Sequence, residues 1–130
     1  MRFPTVVLEM EYSDSNMTLR ALKTAVQTFV KDRDWEKYHT PRNLAESILI
    51  EASELLELFQ WSLNEEKLSV MESEKLRRLE DELADVFVYC ISLANVTGID
   101  IANCIMSKMK RNEEKYPTER YRGTYSKPGR

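Results

Sequence analysis

Residues 40–61 read "TPRNLAESILIEASELLELFQW", and the first two of them set the reading of the rest. Thr40 supplies a hydroxyl that can cap the free amides of a helix start. Pro41 suits the first helical position, where the N–H it lacks is not needed. The spacing therefore predicts a helix from Pro41 to about Leu63. On a wheel of about 100° per residue with Leu44 at zero, Ile48, Ala52, Leu55, Leu58 and Phe59 gather in one stripe centred near roughly 20°. Glu51 falls inside that stripe, Glu54 on its edge beside Trp61, and Glu46 and Glu57 on the polar face.

Three more helical segments flank this one. Upstream, Met17 to Arg33 carries Leu19, Leu22, Val26, Phe29 and Val30 at helical spacing, with candidate caps in "SDSN". Downstream, a third helix is expected over Ser73 to Val96, closed by Gly98 in a left-handed stop. Asp100 then caps a fourth that continues to Tyr116, where Pro117 limits it. The loop "DRDWEKYHT", the connector "NEEKLSVMES" and the tail "TERYRGTYSKPGR" show no apolar period, and the tail is expected to be irregular. Four helices with short connections imply an all-α, four-helix bundle-type domain over residues 17–117, with an N-terminal extension at 1–16 and a basic C-terminal tail at 118–130.

Composition agrees. In 130 residues, 42% apolar and 32% charged side chains with only three glycines suit long helices around one core better than a turn-rich β fold. The net charge of −3 gives no reason to expect a nucleic-acid polymer or a membrane as partner. Residues 108–130 nevertheless hold eight Lys/Arg against three Glu, so that stretch carries +5 and the remainder −8. Such a tail is either a solvated basic arm or the receiver of an anion. Cys90 and Cys104 lack C-x-x-C spacing and read as buried free thiols in a reducing cytoplasm. The short apolar run near the N-terminus is broken by Pro4 and Glu9, and no stretch approaches a membrane span.

The acids carry the chemistry. Glu82 and Asp85 in "EDELADVFVY" repeat the three-residue spacing of Glu51 and Glu54, so each pair shares a helix face. With Leu76 at zero, Glu82 borders Leu93 and Val86, Asp85 lies farther round with Tyr89, and Glu80 also falls within the apolar stripe. Two such pairs on successive helices can bring four carboxylates together. Desolvating each would cost several kcal/mol without compensation. Lys and Arg are scarce on the middle of both helices, so a hard divalent cation, Mg²⁺ or Mn²⁺, is the economical partner. The competing reading is a non-catalytic helical interaction module in which these acids form buried pairs with Arg or Lys from the first or fourth helix. A di-iron bundle is disfavoured, because it needs E-x-x-H motifs and the one histidine, His39, precedes the second helix.

In order and spacing, "RDWEKYHTPRNLA" (33–45), "EASELLELFQW" (51–61), "DELADVFVYCISLA" (81–94) and "SKMKRNEEKYP" (107–117) resemble the all-α MazG-like nucleoside triphosphate pyrophosphatases, in particular the small dCTP-pyrophosphatase-like branch. The resemblance implies that Glu51, Glu54, Glu82 and Asp85 are catalytic ligands of Mg²⁺. The implied reaction converts a (d)NTP to the (d)NMP and pyrophosphate, as cytoplasmic house-cleaning of dCTP-like or non-standard deoxynucleotides. It further implies homodimers or dimers of dimers with sites built from more than one chain. Lys108, Asn112 and Lys115 share one face of the fourth helix, and the resemblance favours phosphate binding there over a solvated stripe, with Tyr116, Arg120 and Arg122 closing over the triphosphate. Trp35, Trp61 and Tyr89 become the base pocket, since flat aromatic faces stack on nucleobases. His39 and Asn43 either shape that pocket or cap the helix. The dCTP-specific relatives carry a histidine on the first helix, whereas "ALKTAVQTFV" has none, which leaves the base open.

Overall fold

A computed structural model of the chain describes residues 11–61 and 73–124. Among these residues every regular element is helical: α1 (Leu19–Asp32), a single 3₁₀ turn (Glu36–Tyr38), α2 (Pro41–Glu57), α3 (Ser73–Thr97), α4 (Ile101–Lys115) and the one-turn α5 (Thr118–Tyr121). The all-α expectation holds.

The helix starts follow their caps. Thr40 Oγ1 accepts from the amide of Asn43 at 3.2 Å with Pro41 in the first turn, and Asp100 Oδ1 accepts from Asn103 at 2.9 Å. At α1 the cap is Thr18, which accepts from Ala21 at 3.1 Å, rather than a residue of "SDSN". Those residues instead close a turn, in which the Asn16 amide donates to Ser13 O at 3.1 Å.

Two helix ends share one device. At α3 the amide of Ile99 donates back to Ala94 O at 3.1 Å, with Gly98 left-handed at φ 71°. At α1 the amide of Trp35 donates to Val30 O at 3.1 Å and that of Asp34 to Lys31 O at 3.0 Å, with Asp34 at φ 54°. Both satisfy carbonyls that a helix end leaves open, but at α1 an aspartate occupies the position that favours glycine.

α2 departs from its expected length. It ends at Glu57, not near Leu63, and Leu58–Trp61 form a turn with Trp61 at φ 67°. Leu63 and most of the connector lie outside the described residues, as do residues 1–10 of the N-terminal extension and the last six of the tail.

Extensive packing joins α2 to α3 and α1 to α3. The buried core is small: Val30 from α1, Leu44 and Leu58 from α2 and the turn after it, and Ile91 and Ala94 from α3. Lys23 Nζ donates to Ile99 O at 2.8 Å and Asn95 Nδ2 to Lys23 O at 3.1 Å, which ties α1 to the end of α3. α4 leaves α3 at 102° and, among the described residues, has no such extensive packing partner. No single described helix is long and apolar enough to cross a membrane.

Much apolar surface is left uncovered. On α2, Leu49 (72% exposed) and Leu56 (70% exposed) lie two turns apart on a face the single-stripe wheel did not assign. Leu83 and Phe87 on α3, and Ile105, Met106 and Met109 on α4, are also exposed. Cys90 and Cys104 are free thiols but exposed, not buried as expected, because no other described residue covers those faces of α3 and α4.

Candidate active site

Where α2 packs on α3, the two acid pairs meet. Each pair is one helical turn apart, so both members project from the same face. Carboxylate oxygens of Glu51, Glu82 and Asp85 all lie within 4.8 Å of one another. Glu54 stands close enough for its side chain and charge to act on both Glu51 and Glu82, which makes it the fourth member of the group. Glu51 and Glu82 are half-buried, and the Oε2 of each is shielded from solvent without a hydrogen-bond partner.

The electrostatics follow from that geometry. The Glu51 carboxyl is pushed up from its ordinary 4.5 to about 7, first by burial, then by the hydrogen bond to Glu54 and the charges of Glu54, Asp85 and Glu82. Glu82 is raised as well, by burial foremost and then by Glu54, against a weaker opposing pull from Arg78. The ion pairs that the described residues form among themselves, Lys37–Asp34 at 2.9 Å and Arg42–Glu46 at 3.2 Å, are exposed and touch none of these acids. A shielded carboxylate oxygen without a partner costs roughly 1–3 kcal/mol, more when charged. The donor set therefore fits a hard divalent cation: all oxygen, converging, and, among the described residues, without an ion pair to a lysine or arginine.

The wheel separated most of these acids correctly. Glu57 and Glu46 are exposed and stand apart from the group, Glu46 being paired with Arg42. Asp85, left far from the apolar stripe by the wheel, is drawn in by the crossing of α3 over α2. Glu80, which the wheel put inside the stripe, is exposed near the start of α3.

The aromatic and basic candidates are more dispersed. Trp35, 44% exposed, stands at the start of the 3₁₀ turn with its ring 5.8 Å from that of Phe29 in an edge-to-face arrangement at 72°. Trp61 is 88% exposed beyond the end of α2, so it is not held on the helix beside Glu54 as expected. Tyr89 is half-buried on α3. His39 ends the 3₁₀ turn, its amide donating to Glu36 O at 3.0 Å. Asn43 is the residue whose backbone amide the Thr40 cap accepts, and its Nδ2 donates to Tyr38 O at 3.0 Å, which ties the start of α2 to the 3₁₀ turn.

Lys108, Asn112 and Lys115 lie on α4, which among the described residues shares no extensive contact with the pair of helices that carries the acids. Lys108 and Lys115 are exposed, and Asn112 O accepts the amide of Tyr116 at 2.8 Å. The tail is not wholly irregular. Pro117 precedes the single turn α5, and Tyr121 returns its ring to 5.2 Å from Tyr116.

Sequence reasoning missed the surroundings of Trp35 and the influence of Arg78 on Glu82. The first had a local signal, since Phe29 and Arg33 are spaced i, i+4 on α1. The second depends on the rotation of α3, which periodicity leaves free by tens of degrees.

Comparison with known proteins places this geometry in context. Residues 47–129 match the model of the MazG-like family. Over 114 residues the chain is 36% identical to dCTP pyrophosphatase 1 of Bos taurus, covering 87% of this chain and 68% of that protein. Over 111 residues it is 36% identical to dCTP pyrophosphatase 1 of Homo sapiens, covering 85% of this chain and 65% of that protein. The match thus spans about two thirds of the length of these enzymes. A crystal structure of a pyrophosphatase from Archaeoglobus fulgidus superposes with a TM-score of 0.72 at 36% identity, covering 82% of this chain and 99% of that one.

Proposed function

The chain belongs to the MazG-like family, and from that premise we propose that it is a metal-dependent nucleotide pyrophosphatase that hydrolyses a deoxynucleoside triphosphate to the monophosphate and pyrophosphate. One observation carries the reading. Glu51 and Glu82 hold shielded, unpartnered oxygens in a group with Asp85 whose members lie within 4.8 Å of one another.

In this reading Glu51, Glu54, Glu82 and Asp85 hold the cation, Mg²⁺ with Mn²⁺ as substitute. When bound, the cation neutralises phosphate charge and lowers the pKa of a coordinated water. Glu54, whose side chain acts on both Glu51 and Glu82, orients the attacking water. Water adds at the α-phosphorus and pyrophosphate leaves, a bond choice taken from the similarity to dCTP pyrophosphatases. Lys108, Asn112, Lys115 and Tyr116 contact the phosphates, while Trp35, Trp61 and Tyr89 receive the base near His39 and Asn43. The substrate class is dCTP-like or non-standard deoxynucleotides, and the setting is the cytoplasm, where such nucleotides are made and used.

The working unit is a homodimer or a dimer of dimers. Two features support this: the basic residues of α4 project from a helix with no extensive packing among the described residues, and Leu49, Leu56, Phe87 and Met106 present apolar side chains to solvent. A second copy would cover those faces and bring its α4 to the acids of the first.

A panel of dNTPs and NTPs with Mg²⁺, reading pyrophosphate and monophosphate release, tests the reading and ranks the bases. Turnover of at least one deoxynucleotide is expected. No turnover of any nucleotide, together with no Mg²⁺ or Mn²⁺ binding by calorimetry, would sink it.

A further inference from the structure

Trp35 is not held by its own burial. With 44% of its surface exposed, a tryptophan just beyond a helix end has several rotamers open to it unless neighbours remove them. Three sets of contacts do so. The α1 terminus fixes the backbone, since the amides of Asp34 and Trp35 both return to α1 carbonyls. Phe29, one and a half turns upstream on α1, meets the indole edge to face at 5.8 Å. Arg33 then caps the arrangement: its guanidinium carbon lies 3.7 Å from the centre of the Phe29 ring, and Nη1 donates to Phe29 O at 3.0 Å. Beyond Trp35, Gln27 Nε2 donates to Glu36 Oε1 at 2.8 Å, which latches the 3₁₀ turn back onto α1.

We propose that the Arg33–Phe29 stack and the Gln27–Glu36 latch are positioning elements that hold the Trp35 indole in the orientation in which it stacks on the nucleobase. The inference rests on the assignment of Trp35 to the base pocket made above. Phe29 and Arg33 touch neither substrate nor metal in this account; they act through Trp35. Their energetic signature is therefore specific. Pre-orienting one flat face contributes to substrate binding in the ground state and the transition state alike, so it moves KM and leaves kcat in place. A core-packing role for Phe29 is disfavoured by its own exposure, 48%.

The test uses two readouts that fail separately. In a Trp61→Phe background Trp35 is the remaining tryptophan, and its near-ultraviolet circular dichroism reports whether the indole is fixed. Phe29→Leu should collapse that signal while the far-ultraviolet spectrum stays helical, and Phe29→Tyr should restore it. Gln27→Leu should weaken it in part. In the chain with both tryptophans, Phe29→Leu should raise KM for the best deoxynucleotide by roughly 2- to 12-fold, the equivalent of the worth of one edge-to-face pair, with kcat within about twofold and Phe29→Tyr near the parent. An unchanged Trp35 spectrum in Phe29→Leu overturns the proposal, as does a fall in kcat at constant KM. Absence of turnover with every nucleotide overturns the pyrophosphatase reading and the purpose of the stack with it, whereas the spectrum alone decides whether the stack fixes the indole.

Discussion

Replacing Glu51 by glutamine should make the metal-free protein more stable, and the size of the gain can be worked from the site. The Glu51 carboxyl rises from 4.5 to about 7 on folding, because burial and three neighbouring carboxylates disfavour its charge. The folded chain therefore holds a proton that the unfolded chain has released, and the stability this brings is full below about 4.5 and lost as pH rises through about 7. That lift corresponds to roughly 3 kcal/mol between protonation states, of which solvent screening leaves about 1–2 kcal/mol. Glutamine keeps an N–H donor toward Glu54 and carries no charge at any pH. In chelator at pH 8, Glu51→Gln should thus unfold some 3–8 °C higher than the parent by calorimetry, a shift of that order for a domain of this size. The gap should narrow steadily as pH falls toward about 4.5. Adding Mg²⁺ should reverse the ranking, since the parent gains binding energy that the variant lacks. A variant that melts below the parent in chelator at pH 8 would refute the argument, for it would mean that Glu51 sits in a favourable ion pair.

Asp85→Asn should reduce pyrophosphate release at least about 100-fold while far-ultraviolet circular dichroism is unchanged, and Glu57→Gln, on the exposed face of α2, should stay within about twofold of the parent. Chelation should abolish turnover, and Mg²⁺ should restore it; activity that persists after exhaustive chelation would exclude a metal-dependent step. The left-handed positions should respond in opposite senses: Gly98→Ala loses about 1 kcal/mol at φ 71°, whereas Asp34→Gly gains some tenths of a kcal/mol at φ 54° less the exposed pair with Lys37, both measured by urea unfolding.

Local chemistry made the start of α2, the start of α4 and the end of α3 legible, though not the Thr18 cap of α1. Thr40 with Pro41, Asp100 before α4 and Gly98 after α3 each act through neighbours one turn away, so the sequence contains the whole cause. Glu51 and Glu54 were separable from Glu57 for the same reason, because one helix fixes their relative angles. What was not legible depends on how helices meet. Asp85 joins the acids only through the crossing of α3 on α2, and Glu80 is exposed although its wheel angle matches buried residues. The early end of α2 follows from a turn with Trp61 left-handed, a conformation that no residue in "LFQW" advertises. Leu49 and Leu56 were overlooked because a wheel that seeks one stripe has no place for a second.

The right-angled departure of α4 has a kinetic consequence. Among the described residues α4 makes no extensive contact with the other helices, and it carries Lys108, Asn112 and Lys115, so in the proposed homodimer its placement would depend on the second copy. Hydrolytic competence would then obey mass action: specific activity per subunit falls on dilution, and progress curves begun from dilute enzyme show a lag of second order in protein. Saturating nucleotide, by bridging the arm of one chain to the acids of the next, would shorten that lag and act as its own assembly factor.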